Sequence, residues 1–275
     1  MIKKAILLLI ACSLLSACSL SDLKSMKSSS DKRGLNLEEK DQVYEKYSPV
    51  NLNITAIGDS LTEGVGDHTK KGGYPSVLID DLEKEPAIKD IHLTQNGKRG
   101  LTSTELIPKI HKKGAVHSIK NADIVMITIG GNDVMDVVRN HYTHIKVSHF
   151  NEGLDTYEKN VKNVLSFIRE ENKDADIYLI GLYNPFQKWL ANIDEFEEVL
   201  DKWNDTSKKI VDTYKNAYFV SISDLFAKNT ENLIYEEDYF HPNTDGYEKI
   251  AGAVFDSLKK HSIPAIKEEA GKKGE

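Results

Sequence analysis

The sequence predicts an α/β fold in which helices cover both faces of a five-stranded parallel sheet. The first observation is that short apolar segments alternate with segments of helical periodicity from about residue 51 to residue 260. Strands that alternate with helices in this way are joined by crossover connections and lie parallel. The second observation is that residues 124–129 are apolar and mostly β-branched, as expected of a strand buried on both faces.

Each predicted strand is a short apolar segment with β-branched or aromatic residues. The first ends at Gly58, where the chain must turn. The five predicted strands cover residues 52–57, 91–94, 124–129, 177–182 and 218–222.

Each predicted helix has apolar residues three or four positions apart, which places them on one face. In the last helix, Tyr247, Ile250 and Val254 share such a face. The chain beyond Pro264 is short and charged, so residues 263–275 are predicted to be a frayed tail. The predicted helices cover residues 74–83, 102–112, 151–172, 194–214 and 243–260.

The N-terminus has the pattern of a secretory signal. Lys3 and Lys4 precede an apolar run at residues 5–17, which is too short to span a bilayer and suits a signal peptide. The run ends in Leu-Ser-Ala-Cys18, which resembles a bacterial lipobox, although a simple cleaved signal peptide that contains a cysteine is the alternative. The lipobox implies that Cys18 is lipidated and becomes the mature N-terminus. The sequence thus predicts a protein anchored to the outer face of the bacterial cytoplasmic membrane.

Residues 18–50 are predicted to connect this anchor to the α/β domain at residues 51–262. Up to about residue 40 the segment is rich in Ser, Lys, Asp and Glu, and it buries too little apolar surface to offset the entropy of ordering. About 20 such residues reach roughly 25 Å as a flexible chain. The sequence therefore predicts a flexible tether.

Charge and cysteine content exclude several classes of function. The chain of 275 residues has a formal net charge of −7 and no basic run, which disfavours a nucleic-acid partner. Both cysteines, Cys12 and Cys18, lie in the N-terminal segment. The predicted exported domain therefore has no disulfide, no thiol nucleophile and no cysteine metal site.

Residues typical of acyl transfer follow the predicted strands, at the edge where the sites of parallel sheets lie. Ser60 can act as a nucleophile if His241 takes its proton and Asp238 orients the imidazole. Gly100 lets a backbone N–H approach an oxyanion closely, and Asn132 offers a side-chain amide donor.

These residues together resemble those of the GDSL esterases and lipases, also called SGNH hydrolases. Ser60 stands in Gly-Asp-Ser-Leu, Gly100 precedes Leu-Thr-Ser, and Asn132 stands in Gly-Gly-Asn-Asp. Asp238 and His241 match the last block, with Pro242 next. The resemblance implies a flavodoxin-like three-layer α/β/α fold and ester hydrolysis through an acyl-enzyme without metal or cofactor. It is closest to the exported bacterial lipase/acylhydrolase branch, and it implies an oxyanion hole formed by the N–H groups of Ser60 and Gly100 and the Asn132 amide.

Each of these residues also has a structural interpretation. Ser60 could cap the following helix, and Asp238 could cap the last helix or hold a turn. His241 could be a satisfied structural histidine, and Asn132 a turn residue. Gly100 competes with Gly97, which lies in the same loop.

Other polar and aromatic residues are interpreted as structural or left open. Asp59 and Asp133 flank the site and are expected to accept hydrogen bonds that brace their loops. The histidines at 141, 144 and 149 lack a pattern that would complete a metal site, which favours a solvated helix end or loop. Trp189 and Trp203 could line an acyl groove or lie in the core. Residues 135–150 and 183–195 could form a lid.

The sequence therefore predicts a membrane-tethered serine esterase or lipase that acts on acyl esters. One alternative keeps the chemistry but makes the enzyme a deacetylase of cell-wall or surface polysaccharide. The other is a lipoprotein that binds a ligand without turnover. The acyl length and the leaving alcohol are not readable from the residues.

Overall fold

The computed structural model of the protein describes residues 48–186, 194–227 and 230–273. The predicted signal peptide, Cys18, nearly all of the predicted tether and Trp189 lie outside these residues. Within the described ranges, none of the helices combines the length and the apolar character needed to cross a membrane.

Five strands form one parallel sheet in the order β2-β1-β3-β4-β5. This confirms the predicted five-stranded parallel sheet. Gly58 at the end of β1 pairs with Gly97 of β2 and with Thr128 of β3, so the carboxyl ends of these strands meet at one edge. The strands are β1 (Val50–Gly58), β2 (Ile88–Gly97), β3 (Ile124–Thr128), β4 (Asp176–Ile180) and β5 (Ala217–Val220).

Helices lie on both faces of the sheet, as the sequence predicted. They are α1 (Ser60–Glu63), α2 (Tyr74–Leu82), α3 (Ser103–Ile110), α4 (Lys113–Lys120), α5 (Gly131–His141), α6 (Val147–Glu171), α7 (Asp194–Val211), α8 (Ser223–Ala227), α9 (Thr230–Leu233) and α10 (Thr244–Lys272).

The strand β3 separates two apolar cores. Val125 and Ile127 face a core formed with α3, α5, α6 and α7. Ile124 and Met126 face a second core formed with α2 and α10. Because successive side chains of a strand point to opposite faces, a strand between two helical layers is apolar throughout. The described domain is therefore a three-layer α/β/α structure with the strand order of the flavodoxin-like fold.

The prediction of a frayed tail after Pro264 is wrong, because α10 continues through that proline to Lys272. Ile263 and Ala270 are buried. The carbonyl of Ala270 also accepts a hydrogen bond of 2.9 Å from the N–H of Ser48. Packing of the last turns against the start of β1 thus outweighs the helix bond that the proline removes.

The structure also adds helices to regions predicted as loops. Residues 130–133 were predicted as a loop after the third strand, but Gly130 caps α5 and Gly131 begins it, and α6 starts at Val147 instead of residue 151. The helix predicted at residues 102–112 ends at Ile110 and is followed by the separate helix α4. A capping box between Thr102 and Glu105 fixes the start of α3.

Candidate active site

Ser60 lies at the turn where β1 ends and α1 begins. The helix is capped by Asp59, whose Oδ1 accepts a hydrogen bond of 3.0 Å from the N–H of Leu61 and one of 2.8 Å from the hydroxyl of Thr128. Since Asp59 fills the capping role, the alternative in which Ser60 caps the helix is wrong. The hydroxyl of Ser60 points instead to an imidazole.

The fold brings Ser60, His241 and Asp238 into one hydrogen-bonded chain. His241 Nε2 lies 2.9 Å from Ser60 Oγ, and His241 Nδ1 lies 2.6 Å from Asp238 Oδ2. The residues Ser60 and His241 are only 2% and 5% exposed. A hydroxyl, an imidazole and a carboxylate in this order can generate a serine nucleophile.

Asp238 holds the turn that presents the imidazole. Its Oδ1 accepts hydrogen bonds of 3.0 Å from the N–H groups of Phe240 and His241, and Tyr239, which lies between Asp238 and Phe240, has a φ of 52°. Burial alone would raise the pKa of Asp238, but the hydrogen bonds from His241 and Phe240 outweigh it and lower the pKa. The carboxylate is therefore charged at neutral pH, as a partner for an imidazolium should be. The cap of α10 is Asn243 and not Asp238.

Asn132 lies in the first turn of α5 and borders the same cavity as Ser60. Its Nδ2 donates a hydrogen bond of 2.9 Å to the carbonyl of Leu101, which uses one of the two N–H groups of the amide. This bond fixes the orientation of the amide and ties the loop before α3 to α5.

Gly100 lies in the loop after β2, with a φ of 78°. Asn132 borders the cavity of Ser60. Gly100 is not among the described residues that border this cavity, and it lines a second groove together with Asp133 and His149. The assignment of Gly100 to an oxyanion hole stays a prediction.

The two glycines that the sequence left open serve different purposes. A Cβ on Gly97 would lie 2.2 Å from the N of Glu63, so α1 can pack on β2 only if this residue is glycine. For a Cβ on Gly100 no described atom lies within 4 Å, and its positive φ is what favours glycine. The carboxylate of Glu63 also accepts a hydrogen bond from the N–H of Arg99, which anchors the Gly100 loop to α1.

The prediction that Asp59 and Asp133 brace loops is confirmed by their hydrogen bonds. Asp133 accepts a bond of 2.9 Å from the N–H of Ser103, and the hydroxyl of Ser103 accepts one of 2.9 Å from Asn160. Burial raises the pKa of Asp133 to about 6, although the Ser103 bonds oppose the shift. Burial likewise raises the pKa of Asp59, against the bonds from Thr128 and Leu61.

Ser60 opens into a cavity with predominantly apolar walls. Its apolar residues come from α5, from the segment after β4, from α7 and from the loop before His241, and the sequence analysis did not assign them. Some of them lie in the stretches that the sequence analysis named as possible lids, residues 135–150 and 183–195. The apolar residues that follow β4 were the signal in the sequence from which this wall could have been predicted. The apolar residues of all the walls include Met135, Leu182, Phe186, Phe196, Leu200 and Phe240. An apolar environment of this kind suits the acyl chain of an ester.

The structure shows where Trp203 and the histidines at 141 and 149 lie, since all three are within the described residues. Trp203 is 1% exposed and stacks on Tyr157, so it belongs to the core. The rings of His141 and His149 stack with centroids 3.7 Å apart. Within the described ranges, no group of three or more His, Cys, Asp or Glu residues is arranged to hold a metal.

Comparison with known proteins agrees with this geometry. The model of the GDSL-like lipase/acylhydrolase family matches residues 56–249. The protein YpmR of Bacillus subtilis is 37% identical over 228 residues, which cover 82% of this chain and 89% of YpmR. The spore germination lipase LipC of Bacillus licheniformis is 29% identical over 211 residues, which cover 73% of this chain and 93% of LipC.

Solved structures show the same fold. The lipase Lip_vut3 from a goat rumen metagenome superposes with a TM-score of 0.67 at 25% identity, covering 75% of this chain and 97% of that one. An acetyl-xylooligosaccharide esterase from Geobacillus has a TM-score of 0.58 at 22% identity, covering 79% of this chain and 96% of that one. The extent of the family match and the YpmR similarity show that the chain belongs to the GDSL-like lipase/acylhydrolase family and is an ester-hydrolysing enzyme.

Proposed function

We propose that the chain is a serine esterase of the lipase type, tethered by Cys18 to the outer face of the bacterial cytoplasmic membrane. It hydrolyses esters with apolar acyl groups through an acyl-enzyme on Ser60. The observation that carries the proposal is that the hydrogen-bonded chain of Ser60, His241 and Asp238 opens into an apolar cavity.

In the first half-reaction, Ser60 Oγ attacks the ester carbonyl while His241 Nε2 takes its proton. The negative charge that develops on the carbonyl oxygen is stabilised by the N–H groups of Ser60 and Gly100 and by the Asn132 amide. Collapse of the tetrahedral intermediate breaks the bond to the alkoxy oxygen, and the imidazolium returns the proton to the leaving alcohol. Asp238 holds the imidazole in place and stabilises its charged form.

In the second half-reaction, water attacks the acyl-enzyme. His241 takes a proton from the water, the same donors stabilise the second tetrahedral intermediate, and Ser60 recovers its proton as the acid leaves. Every atom and proton is accounted for by the ester, the water and the three side chains.

The apolar cavity supports an acyl group longer than acetyl. Each methylene that leaves water for an apolar wall contributes about 0.8 kcal/mol to binding. An acetyl group offers a single methyl to the walls formed by Met135, Leu182 and Phe196, whereas an alkyl chain contacts them along its length. For this reason we prefer a lipid-like ester to the acetylated polysaccharide that the sequence analysis left open.

The test is turnover of p-nitrophenyl esters of increasing chain length by wild type and by Ser60→Ala. We expect kcat/KM to rise from acetate through butyrate to octanoate, with no turnover by the variant. A maximum at acetate would favour the deacetylase. No turnover of any ester by a folded wild type would favour a binding protein.

A further inference from the structure

The connection between α5 and α6 exposes an unusual concentration of apolar side chains. We call residues 142–147 the apolar tip. Tyr142, Ile145 and Val147 are 79%, 45% and 50% exposed, and they are three of the four large apolar side chains found exposed in the described parts of the chain. Single exposed apolar residues are ordinary, but several within six positions indicate a contact surface.

The apolar tip projects beyond the edge of the sheet at which Ser60 lies. Tyr157 of α6 marks the level of that edge, because its hydroxyl lies 3.5 Å from the carbonyl of Ile129, just after β3. From there α6 runs ten residues back to its start at Val147. At 1.5 Å per residue, the tip stands about 15 Å beyond the edge of the sheet.

The apolar tip and the residues that directly flank it carry no acidic side chain, although the chain as a whole is acidic. Residues 137–151 contain Arg139, Lys146 and three histidines but no Asp or Glu, in a chain with a net charge of −7. Asp136, one turn earlier, pairs with Arg139, and Glu152 follows the segment. Lys146 lies between Ile145 and Val147, so a cation stands among the exposed apolar groups. This combination is typical of segments that bind the surface of anionic lipid.

Of the two helices that carry the apolar tip, α5 borders the catalytic cavity and α6 packs against a residue that borders it. Met135 of α5 borders the cavity. Phe150 of α6 packs edge-on against Phe196, which borders it from α7. An external surface that contacts the apolar tip therefore lies on the same side of the molecule as the cavity.

We propose that the apolar tip docks on the surface of an anionic lipid aggregate and thereby brings the cavity to esters held there. The inference rests on the proposed function, since it specifies that the enzyme acts on esters held in a lipid aggregate. Burial of the three side chains supplies the apolar part of the attraction, and Lys146 supplies a part that salt weakens, whereas Arg139 is paired with Asp136.

The first test compares dissolved and lipid-held ester in the full-length protein. The variant replaces all three apolar residues with serine (Tyr142→Ser, Ile145→Ser, Val147→Ser), and Ser148→Ala, at the exposed position that follows the tip in α6, is the control. The substrates are dissolved p-nitrophenyl butyrate and p-nitrophenyl palmitate in vesicles of phosphatidylglycerol and phosphatidylcholine.

We expect the triple variant to lose at least about tenfold of its rate on vesicle-held ester, since three apolar side chains no longer enter the lipid. Its rate on dissolved butyrate should stay within about twofold of wild type, and Ser148→Ala should match wild type on both. Equal rates of the triple variant and wild type on vesicles would overturn the proposal. An equal loss on both substrates would also overturn it, because the tip would then act on the site itself.

The second test does not depend on turnover. Val147→Trp in the Ser60→Ala background places a fluorophore in the tip, and the signal is the difference from Ser60→Ala alone. Brominated phosphatidylglycerol vesicles should quench this added fluorescence, less so at high salt. Absence of quenching, or a dimer in sedimentation that the triple variant abolishes, would contradict docking on lipid. If the Val147→Trp protein is quenched but the wild-type enzyme turns over no ester, the proposed function alone would be rejected.

Discussion

The hydroxyl of Ser60 is available for chemistry because a neighbouring residue takes over the capping of α1. Asp59 accepts the N–H of Leu61 and the hydroxyl of Thr128, which leaves Ser60 Oγ directed at His241. The two roles are also carried by different residues in the loop before α10, where Asn243 caps the helix and Asp238 is hydrogen-bonded to His241. The capping residue directly precedes Ser60 at the first turn and follows His241 by two positions at the second.

Asn132→Ala tests the proposed oxyanion role. Removing one such donor typically lowers kcat by about 10²–10³. Since the interaction strengthens only as charge develops, KM should change little. Steady-state kinetics beside thermal melting checks this. A variant with a lowered melting temperature but nearly normal kcat per folded molecule would assign Asn132 to the loop contact with Leu101 alone.

Asp133→Asn tests the effect of burial on an acid next to the site. Folding raises the pKa of Asp133 from 3.8 to about 6, so the folded protein holds this proton more tightly. The contribution of this group to stability therefore falls as the pH rises from about 4 to about 6, by up to about 3 kcal/mol. Asparagine keeps an acceptor for Ser103 but does not titrate. Urea unfolding of the variant should lack this pH dependence, and the same pH dependence in both proteins would refute the assignment.

At the scale of elements, the last helix is where local sequence and tertiary packing disagree. Pro264 and the charged residues after it predict an end, yet α10 continues to Lys272. Ser262 on this extension lies 2.5 Å from the buried hydroxyl of Tyr178 in β4, and Ile263 is buried beside it. The extension is therefore part of the core and not an appendage.

Truncation after Lys260 should lower the free energy of unfolding by roughly 2–5 kcal/mol, because it removes buried apolar groups and the partner of Tyr178. Truncation after Lys273 removes two residues and is the control. Chemical denaturation of both proteins measures the difference. Equal midpoints would mean that the extension does not contribute to the core.

The strands were predictable because an apolar segment between helices has few other interpretations. The helix α5 was not, because Gly131 and Asn132 at its start have the pattern of a loop and its apolar stripe is short. The extension of α10 depends on contacts with β1 and β4 that local sequence does not contain.

The chain of Ser60, His241 and Asp238 was predictable because each residue stands in a recognisable block after a strand. The cavity beside it was not predictable, because its walls come from α5, α7 and two loops that only the tertiary fold brings together. The exposure of the apolar tip was not predictable for a related reason. Exposure of Tyr142 and Val147 depends on what packs against α5 and α6, and the sequence gives only their apolar character.

At the scale of the whole molecule, the described domain begins at the edge of the sheet opposite Ser60. Ser48 precedes β1 and bonds to α10, whereas Ser60 follows β1. A strand of nine residues separates them, which is about 30 Å. The first described residues and Ser60 therefore lie at opposite edges of the sheet.

Cys18→Ala tests the proposed tether in bacterial cells. We expect the variant to escape lipidation and to remain uncleaved or to be released, because the modified side chain is missing. Fractionation into membrane and medium measures this, with globomycin-treated cells as a second condition. Identical processing of the wild-type protein with and without globomycin would contradict the lipobox.

The most direct test of the central claim, that Ser60 is the nucleophile, is labelling by a fluorophosphonate probe. The wild type should become covalently labelled at Ser60, and labelling should prevent turnover of p-nitrophenyl butyrate. Ser60→Ala should melt at nearly the wild-type temperature, take no label and hydrolyse no ester. A folded Ser60→Ala that still takes the label would contradict the assignment and place the nucleophile on another residue.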